Sequence, residues 1–311
     1  MKRKILFLLV LLQVFSVLSC KKTKKNQWWL LLLLNQNHAE ETTTAIQTIE
    51  FSVNQENPVS TNQSSKKLKA LVMMSIYPAM WQEDDQEPKK YWIKLISAAN
   101  SNYYVIVYPP YDQENSDYTD ALGRLALKGA IPIAYVDTNY GNVNKEDVKT
   151  KIDGLFYNYS GKVRGIYFSR VSSLYAKYNP DTGEIEHLYE YHKELYDYVK
   201  SRYPNSFVVL GHGSIPDTSY FSIADINLLF VETESMLEGF FTKWNSLPWK
   251  SLFQNEDFAI VVRNVQLENI NSIIQRSKEK NIYTIYLSNK GNFEEFPDDE
   301  FWNALIINYG N

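Results

Sequence analysis

The residues best suited to chemistry in this sequence stand at the ends of short apolar segments. Side chains that can stack or hydrogen-bond recur there: Tyr77, Trp81, Tyr108, Tyr135, Asp137, Thr138, Tyr140, Ser169, Arg170, His212, Glu232 and Asn264. An aromatic ring with a polar edge can stack on a sugar ring while donating a hydrogen bond. We expect such contacts above all from Tyr77, Trp81, Tyr135 and Tyr140. If the fold brings these positions together, they predict a site for a hydrogen-bonding ligand.

The elements that must position these residues alternate along the chain. Apolar runs of strand length are followed by longer stretches with helical spacing of apolar residues. Strands are predicted at 70–77, 103–108, 131–138, 163–169, 206–211, 226–232, 258–264 and 282–288. Helices are predicted at 90–100, 118–128, 145–157, 188–203, 235–247, 267–280 and 298–307. The fifth connection, 214–224, has room for a short helix only.

Eight such units predict an α/β fold of the (β/α)8 TIM-barrel type. Strands that are apolar on both faces suit a parallel sheet covered by helices, and eight units can close a barrel. An open doubly wound sheet is the alternative, and we disfavour it because neither a glycine-rich phosphate turn nor a second domain is visible. In a barrel the carboxyl ends of all strands meet at one opening, which would gather the polar residues named above.

Several of these strand ends occur together in a known family. The segments are Ile76-Tyr77-Pro78 followed by Trp81, 134–141 (AYVDTNYG), 165–168 (GIYF), and Phe230-Val231-Glu232 after Asp225. In order and spacing they resemble the spherulin-four family over about 71–240, and the pattern Tyr-x-x-Thr-x-Tyr-Gly is the most specific part. The resemblance implies a secreted or cell-surface glycoside hydrolase on a barrel, acting on galactosamine-containing polysaccharide.

The carboxyl groups depart from what the resemblance implies. Glycoside hydrolysis usually takes two carboxyl groups, one that donates a proton and one that acts as nucleophile or base. The family carries an Asp-Glu pair after the fourth strand and a Glu after the sixth. Glu232 matches the latter, but Ser169 and Arg170 occupy the pair. An arginine beside Glu232 would hold that carboxylate ionised, so we expect polysaccharide binding with lost or weakened hydrolysis.

A rearranged active site is the alternative. Asp137 could supply a relocated second carboxylate opposite Glu232, and Glu234 or Asp112 could do so less directly. We favour instead that Asp137 caps the turn that follows it, a common role for a short acidic side chain. Arg170 could bind an anionic group of a changed ligand. His212 could hydrogen-bond a sugar hydroxyl or be structural, and the sequence favours neither.

Other classes of function are disfavoured. The chain has a net charge of -4 and scattered basic residues, which argues against a nucleic-acid surface. No P-loop, dinucleotide fingerprint, HExxH or GxSxG motif occurs, and we expect no cofactor. His187 and His192 are five residues apart and would not share a helix face. With a single cysteine in the chain, no metal site is predicted.

The N-terminus has the pattern of a bacterial lipoprotein. A basic start, an apolar run to Leu18 and the sequence Val17-Leu18-Ser19-Cys20 resemble a signal peptide with a lipobox. We therefore predict a signal peptide at 1–19, a lipidated, low-complexity tether at 20–68 and the barrel at 69–311. A second apolar run, 28–34, is too short to span a bilayer. The protein is expected to be exported and lipid-anchored to a bacterial membrane through Cys20, with its oligomeric state left open.

Overall fold

The computed structural model describes residues 66–180, 182–253 and 257–310. The predicted signal peptide, the lipidation site Cys20 and nearly all of the predicted tether lie outside these residues. Leu68, the last residue assigned to the tether, is buried against the core directly before the first strand. Among the described residues, no helix is long and apolar enough to cross a membrane.

Eight parallel strands form a closed barrel, as the sequence predicts. The strands are β1 (Lys69–Met74), β2 (Tyr103–Val107), β3 (Ile131–Asp137), β4 (Gly165–Ser169), β7 (Phe207–Gly211), β8 (Ile226–Thr233), β9 (Phe258–Arg263) and β10 (Thr284–Leu287). Around the barrel they follow in chain order, and β10 pairs with β1 to close it. All five residues of β2 are buried, because one face fills the barrel and the other lies under helices.

The helices surround the barrel in the expected positions. They are α1 (Lys89–Ala98), α2 (Ser116–Leu127), α3 (Lys145–Asn158), α4 (Leu188–Arg202), α5 (Glu234–Asn245), α6 (Ile270–Lys278) and α7 (Asp299–Ile306). Helix α2 shows why they form. The side chain of Asn115 accepts a hydrogen bond from the backbone N–H of Tyr118 and caps the first turn. Tyr118, Leu122 and Leu125 then follow at the spacing that buries one helix face.

Two connections differ from the simple repeat. The fifth, between β7 and β8, contains only a short 3-10 turn at Thr218–Ile223, in agreement with the prediction. The connection after β4 contains a small antiparallel hairpin, β5 (Lys177–Tyr178) and β6 (Ile185–Glu186), which the apolar pattern of the sequence does not indicate.

A bulge in β8 determines where its acidic residue lies. Leu228 pairs with Ala259 of β9, but the next pair is Phe230 with Ile260, so Leu229 is an extra residue. The bulge moves Glu232 into register with Val262; without it, the pairing would continue one residue later, at Arg263. Since a shift of one residue exchanges the faces of a strand, the bulge fixes the direction of the Glu232 side chain.

Candidate functional site at the barrel opening

Strained backbone is concentrated at the carboxyl ends of the strands. Six non-glycine residues in the described parts of the chain have positive φ: Ala79 (41°), Asn139 (44°), Tyr140 (60°), Arg170 (52°), Asn264 (54°) and Asn281 (61°). The first five follow β1, β3, β4 and β9, and only Asn281 precedes a strand. A positive φ is unfavourable for side chains with a Cβ and recurs at functional sites. The strain therefore marks the opening as the candidate site.

Asp137 and Arg170 form an ion pair at this opening. The guanidinium donates to both carboxylate oxygens of Asp137, and the Nε to Oδ1 distance is 2.8 Å. The same Oδ1 accepts the backbone N–H of Asn139 at 2.9 Å, so Asp137 also caps its turn. The hydrogen bond from Arg170 lowers the pKa of Asp137, and the bond from Asn139 adds to the effect against the cost of burial.

This pairing differs from the arrangement considered from the sequence. The sequence leads to the expectation of an arginine beside Glu232, whereas in the structure Arg170 pairs with Asp137. The reason is strand register, because Asp137 and Ser169 are paired neighbours on β3 and β4 and Arg170 is the next residue along. The guanidinium therefore finds the carboxylate of the adjacent strand within reach.

Glu232 lies on β8, which is separated from β4 by one strand, and it has a different arginine as its partner. Its side chain is 53% exposed, and Arg263 Nη2 is 3.3 Å from Glu232 Oε2. Arg263 is itself held because Nη1 donates to the carbonyl of Gly291 at 2.6 Å and the guanidinium lies 5.7 Å from the ring centroid of Phe293. Glu232 is thus an accessible carboxylate held next to a fixed positive charge.

Glu234 and Asp112, the other two acidic residues considered as a second carboxylate, lie in different surroundings. Glu234 accepts the backbone N–H of Gln266 at 2.9 Å and the side-chain amide of Asn269 at 2.6 Å, which fixes the connection after β9. Asp112 is exposed on the loop after β2 and lines a separate cavity on the outer wall of the barrel. Neither arrangement resembles a second carboxyl group placed beside Glu232.

An aromatic column crosses three neighbouring strands beneath the opening. The rings of Tyr108 and Tyr135 are stacked with centroids 4.5 Å apart, and the ring of Tyr167 is 5.8 Å from that of Tyr135. Burial raises the pKa of Tyr108 and of Tyr167, so both phenols are neutral donors at working pH. Gly211 makes room for this column, since a Cβ there would lie 2.2 Å from the Tyr167 hydroxyl.

Three further aromatic side chains face solvent near the opening. Tyr77, Trp81 and Tyr140 are 43%, 75% and 52% exposed. Tyr77 is held in place because its hydroxyl donates to Asp117 at 2.5 Å, and this hydrogen bond raises its pKa. Tyr140 is fixed through its backbone N–H, which donates to the carbonyl of Arg170 at 2.6 Å. Of the predicted contact residues, these three expose their rings and could stack on a sugar.

Two of the predicted contact residues are buried instead. Thr138 is fully buried and its hydroxyl lies 2.9 Å from the carbonyl of Ser169, while His212 lies 3.0 Å from the carbonyl of Ser172 through Nδ1. These placements argue against a direct ligand contact for Thr138 and His212. Burial lowers the pKa of His212 to about 3, so the ring is neutral.

The other two predicted residues occupy the edge of the opening. Ser169 is half-buried, and its carbonyl accepts the Thr138 backbone N–H at 3.1 Å. Asn264 is exposed in a left-handed conformation, and its backbone N–H donates to the carbonyl of Lys290 at 3.1 Å. A ligand at the opening could reach both side chains.

The parts of the chain that the structure describes contain no group of side chains suited to binding a metal ion. No three His, Cys, Asp or Glu side chains cluster there in a manner suited to a metal. His192 is buried, with Nδ1 2.7 Å from the carbonyl of Leu188 in its own helix. His187 is mostly exposed beside Glu190. The two histidines thus have different surroundings.

Some residues of the site were missed or undervalued from the sequence. Tyr167 lies within the family segment 165–168 and Gly211 ends a predicted strand, but neither is predicted as a site residue, although Tyr108, Tyr135 and Tyr167 stand at corresponding positions of adjacent strands. That repetition was the available signal. Arg263 lies within the strand predicted at 258–264, but the sequence does not predict it as the partner of Glu232, because the bulge that sets their relative position leaves no mark in apolar periodicity.

Comparisons with known proteins identify a family and a fold. The model of spherulation-specific family 4 matches residues 69–307. Spherulin-4 of Physarum polycephalum is 28% identical over 186 residues, which are 59% of this chain and 51% of that protein, so the chain spans about half the length of this relative. The structure of Aspergillus clavatus Sph3 in complex with GalNAc has a TM-score of 0.59 at 21% identity, covering 77% of this chain and 98% of that one. The Bacillus cereus spore cortex-lytic enzyme SleL has a TM-score of 0.51 at 10% identity, covering 84% and 78%.

Proposed function

Because the chain belongs to spherulation-specific family 4, we propose that its barrel opening binds a polysaccharide containing amino sugars, with hydrolysis lost or much weakened. The family match supports a polysaccharide-binding or hydrolase-like protein. The GalNAc bound to the Aspergillus relative, which shares the fold, supports the class of sugar. The exposed rings of Tyr77, Trp81 and Tyr140 supply the stacking surfaces that such a ligand needs.

The ion pair between Asp137 and Arg170 is the observation that carries this proposal. Ser169 and Arg170 stand where the family has an acidic pair, and Arg170 engages Asp137 through both carboxylate oxygens. A general acid must hold a proton at working pH, but the lowered pKa of Asp137 keeps it ionised. The carboxyl group nearest to the lost pair is therefore unsuited to proton donation.

An active glycoside hydrolase remains the second candidate, on a specific observation. The carboxylate of Glu232 is more than half exposed at the opening, where a substrate could reach it. In that case the ionised Asp137 would serve as base or nucleophile, and Glu232 would have to donate the proton. Both carboxylates have an arginine partner that a substrate would need to displace or accommodate.

The test measures binding and hydrolysis together. Purified protein is incubated with galactosamine-containing and glucosamine-containing polymers, and both retention on the polymer and release of reducing ends are measured. We expect retention without release, and retention weakened about fivefold in Tyr140→Ala because a stacking surface is lost. Ile307→Ala, an exposed apolar residue at the end of α7, is the control and should bind like the parent.

Two outcomes would contradict the proposal. Release of reducing ends that disappears in Glu232→Gln would establish the hydrolase in place of the binding protein. Failure of both retention and release across a broad panel of glycans would remove carbohydrate as the ligand.

We also propose that the barrel is displayed from a bacterial membrane by a lipid on Cys20. The support is the signal-like N-terminus with Cys20 directly after Val17-Leu18-Ser19. A lipid anchor would hold a polysaccharide-binding domain close to a surface that carries its ligand. Growth with labelled palmitate should label the parent protein and leave Cys20→Ala unlabelled; equal labelling of both would disprove attachment at this residue.

A further inference from the structure

A cavity of about 820 Å³ lies on the outer wall of the barrel. We refer to it as the wall cleft, bounded by Tyr111 and Asp112 of the loop after β2, by Asp153 and Tyr157 of α3, and by Arg202 and Tyr203 at the end of α4. Its volume falls within the range of about 300–1,000 Å³ that is typical of small-ligand sites. None of these residues belongs to the opening described above.

The floor of the wall cleft is rigid. The rings of Phe156 and Tyr203 are stacked with centroids 3.9 Å apart. Asp153 accepts hydrogen bonds from the hydroxyls of Tyr198 and Tyr203, both at 2.8 Å, and lies 3.0 Å from Arg202 Nε. These contacts fix the lining side chains before a ligand arrives, which lowers the conformational entropy that binding would cost.

The two walls present aromatic rings. Tyr111 is 40% exposed, and its backbone carbonyl is held by the side-chain amide of Asn158 at 2.7 Å. The ammonium of Lys151 lies 5.7 Å from the centroid of the Tyr111 ring. Tyr157 is 84% exposed, so nearly all of its ring is open to solvent. Exposed rings beside fixed polar groups suit a ligand with flat apolar faces and hydroxyl edges.

We propose that the wall cleft binds a second stretch of the same polysaccharide chain that occupies the opening. This inference rests on the proposed function. The charges around the cleft are balanced, with Asp112 and Asp153 against Lys151 and Arg202. This balance favours a neutral, polyhydroxylated ligand, such as a chain of N-acetylated amino sugars, over a polymer whose free amino groups make it strongly cationic.

The loop after β2 connects the two sites. Tyr108 belongs to the aromatic column under the opening and Tyr111 to the wall cleft, and three residues span at most about 11 Å. A polymer of several sugars that fills the opening could therefore continue over this loop into the cleft. Engagement of both sites by one chain raises the affinity for long chains above that for short ones, because the second contact is intramolecular.

The experiment compares long polymer with short oligosaccharides of the same N-acetylgalactosamine sugar. We expect Tyr157→Ala to weaken binding of the polymer about tenfold and to leave binding of short oligosaccharides unchanged, because these fill only the opening. Tyr140→Ala should weaken binding of both. Tyr157→Phe keeps the ring and should bind polymer nearly as the parent does, whereas Ile307→Ala is the control for loss of an exposed apolar side chain. Thermal unfolding checks that each variant is folded.

The outcomes separate this inference from the function it rests on. If Tyr140→Ala weakens binding while Tyr157→Ala binds polymer like the parent, the opening binds glycan and the wall cleft does not. If Tyr157→Ala weakens the binding of short oligosaccharides as much as that of the polymer, the cleft is not a separate site, and the inference is wrong. If the parent binds none of these glycans, both proposals fail. Binding of a protein partner that depends on Tyr157, with no effect on glycan, would also overturn the inference.

Discussion

Alanine at position 154 is expected to lower the free energy of unfolding by about 2–3 kcal/mol, in the range of overpacked sites. Gly154 lies inside α3, where the loop after β2 crosses the helix. A Cβ at this position would lie 2.2 Å from the carbonyl oxygen of Tyr111, which is backbone and cannot move alone. The whole loop would have to shift, and the hydrogen bond from Asn158 to that carbonyl would be lost.

Gly239 provides a matched control of opposite sign. It lies inside α5, and a Cβ there would meet no atom within 4 Å. Gly239→Ala should therefore stabilise the protein by about 0.5–1 kcal/mol through the better helix propensity of alanine and the smaller entropy of the unfolded chain. Urea unfolding of the parent and both variants measures the two changes. If Gly154→Ala also stabilises, the loop does not pack on α3 as described.

The eight strands could be predicted from the sequence because they are apolar on both faces and all but one neighbouring pair are separated by a helical pattern. Their ends were predicted less well. The apolar pattern predicts a first strand that reaches Tyr77, but the strand ends at Met74, because apolar Ile76 and aromatic Tyr77 continue the pattern beyond the hydrogen-bonded ladder. The hairpin of β5 and β6 was missed because each strand has only two residues, and neither forms an apolar run.

The location of the candidate site could be predicted from the sequence, but the contacts between its side chains could not. Strand ends identify the opening, because parallel strands of a barrel all end there. The partner of an ionised side chain depends instead on register and local bends. Arg170 reaches Asp137, 33 positions earlier in the chain, because β3 and β4 pair side by side. Glu232 reaches Arg263 in a strand pair that a bulge has shifted.

Burial at the opening was the other feature that sequence reasoning missed. His212 follows a strand within a Gly-His-Gly segment, which gives no sign of being covered. The structure places it against Tyr220, with ring centroids 4.9 Å apart. His192 lies 5.9 Å from the same tyrosine. Two neutral histidines thus pack on one buried ring beneath the loops of the opening, and this has a measurable effect on stability.

Stability is expected to fall steeply as the pH is lowered from about 6.5 to 4. Burial lowers the pKa of His192 to about 4 and that of His212 to about 3. In the unfolded chain both histidines titrate near 6.5, so below that pH the unfolded state binds protons that the folded state does not. Each histidine therefore removes up to about 1.4 kcal/mol of stability per pH unit in this window.

The acidic groups act in a different pH range. Because the folded-state pKa of Asp137 is lowered, its contribution is present above its unfolded pKa and is lost only as the pH falls further. Between about pH 4.5 and 6.5 the two histidines should consequently determine most of the slope of the free energy of unfolding against pH. Free energies of unfolding from urea titrations at several pH values across that window measure it directly.

Substitution separates the two histidines from all other groups. His192→Gln and His212→Gln should each reduce the slope by roughly half, whatever their effect on absolute stability, because each removes one proton-binding site of the unfolded chain. His187→Gln is the control, since the side chain of His187 is 62% exposed and not enclosed by the fold. A slope that persists in the double variant would mean that carboxylates carry it. In that case the region around His192 and His212 would be hydrated, and a sugar ring could reach the side chain of His212.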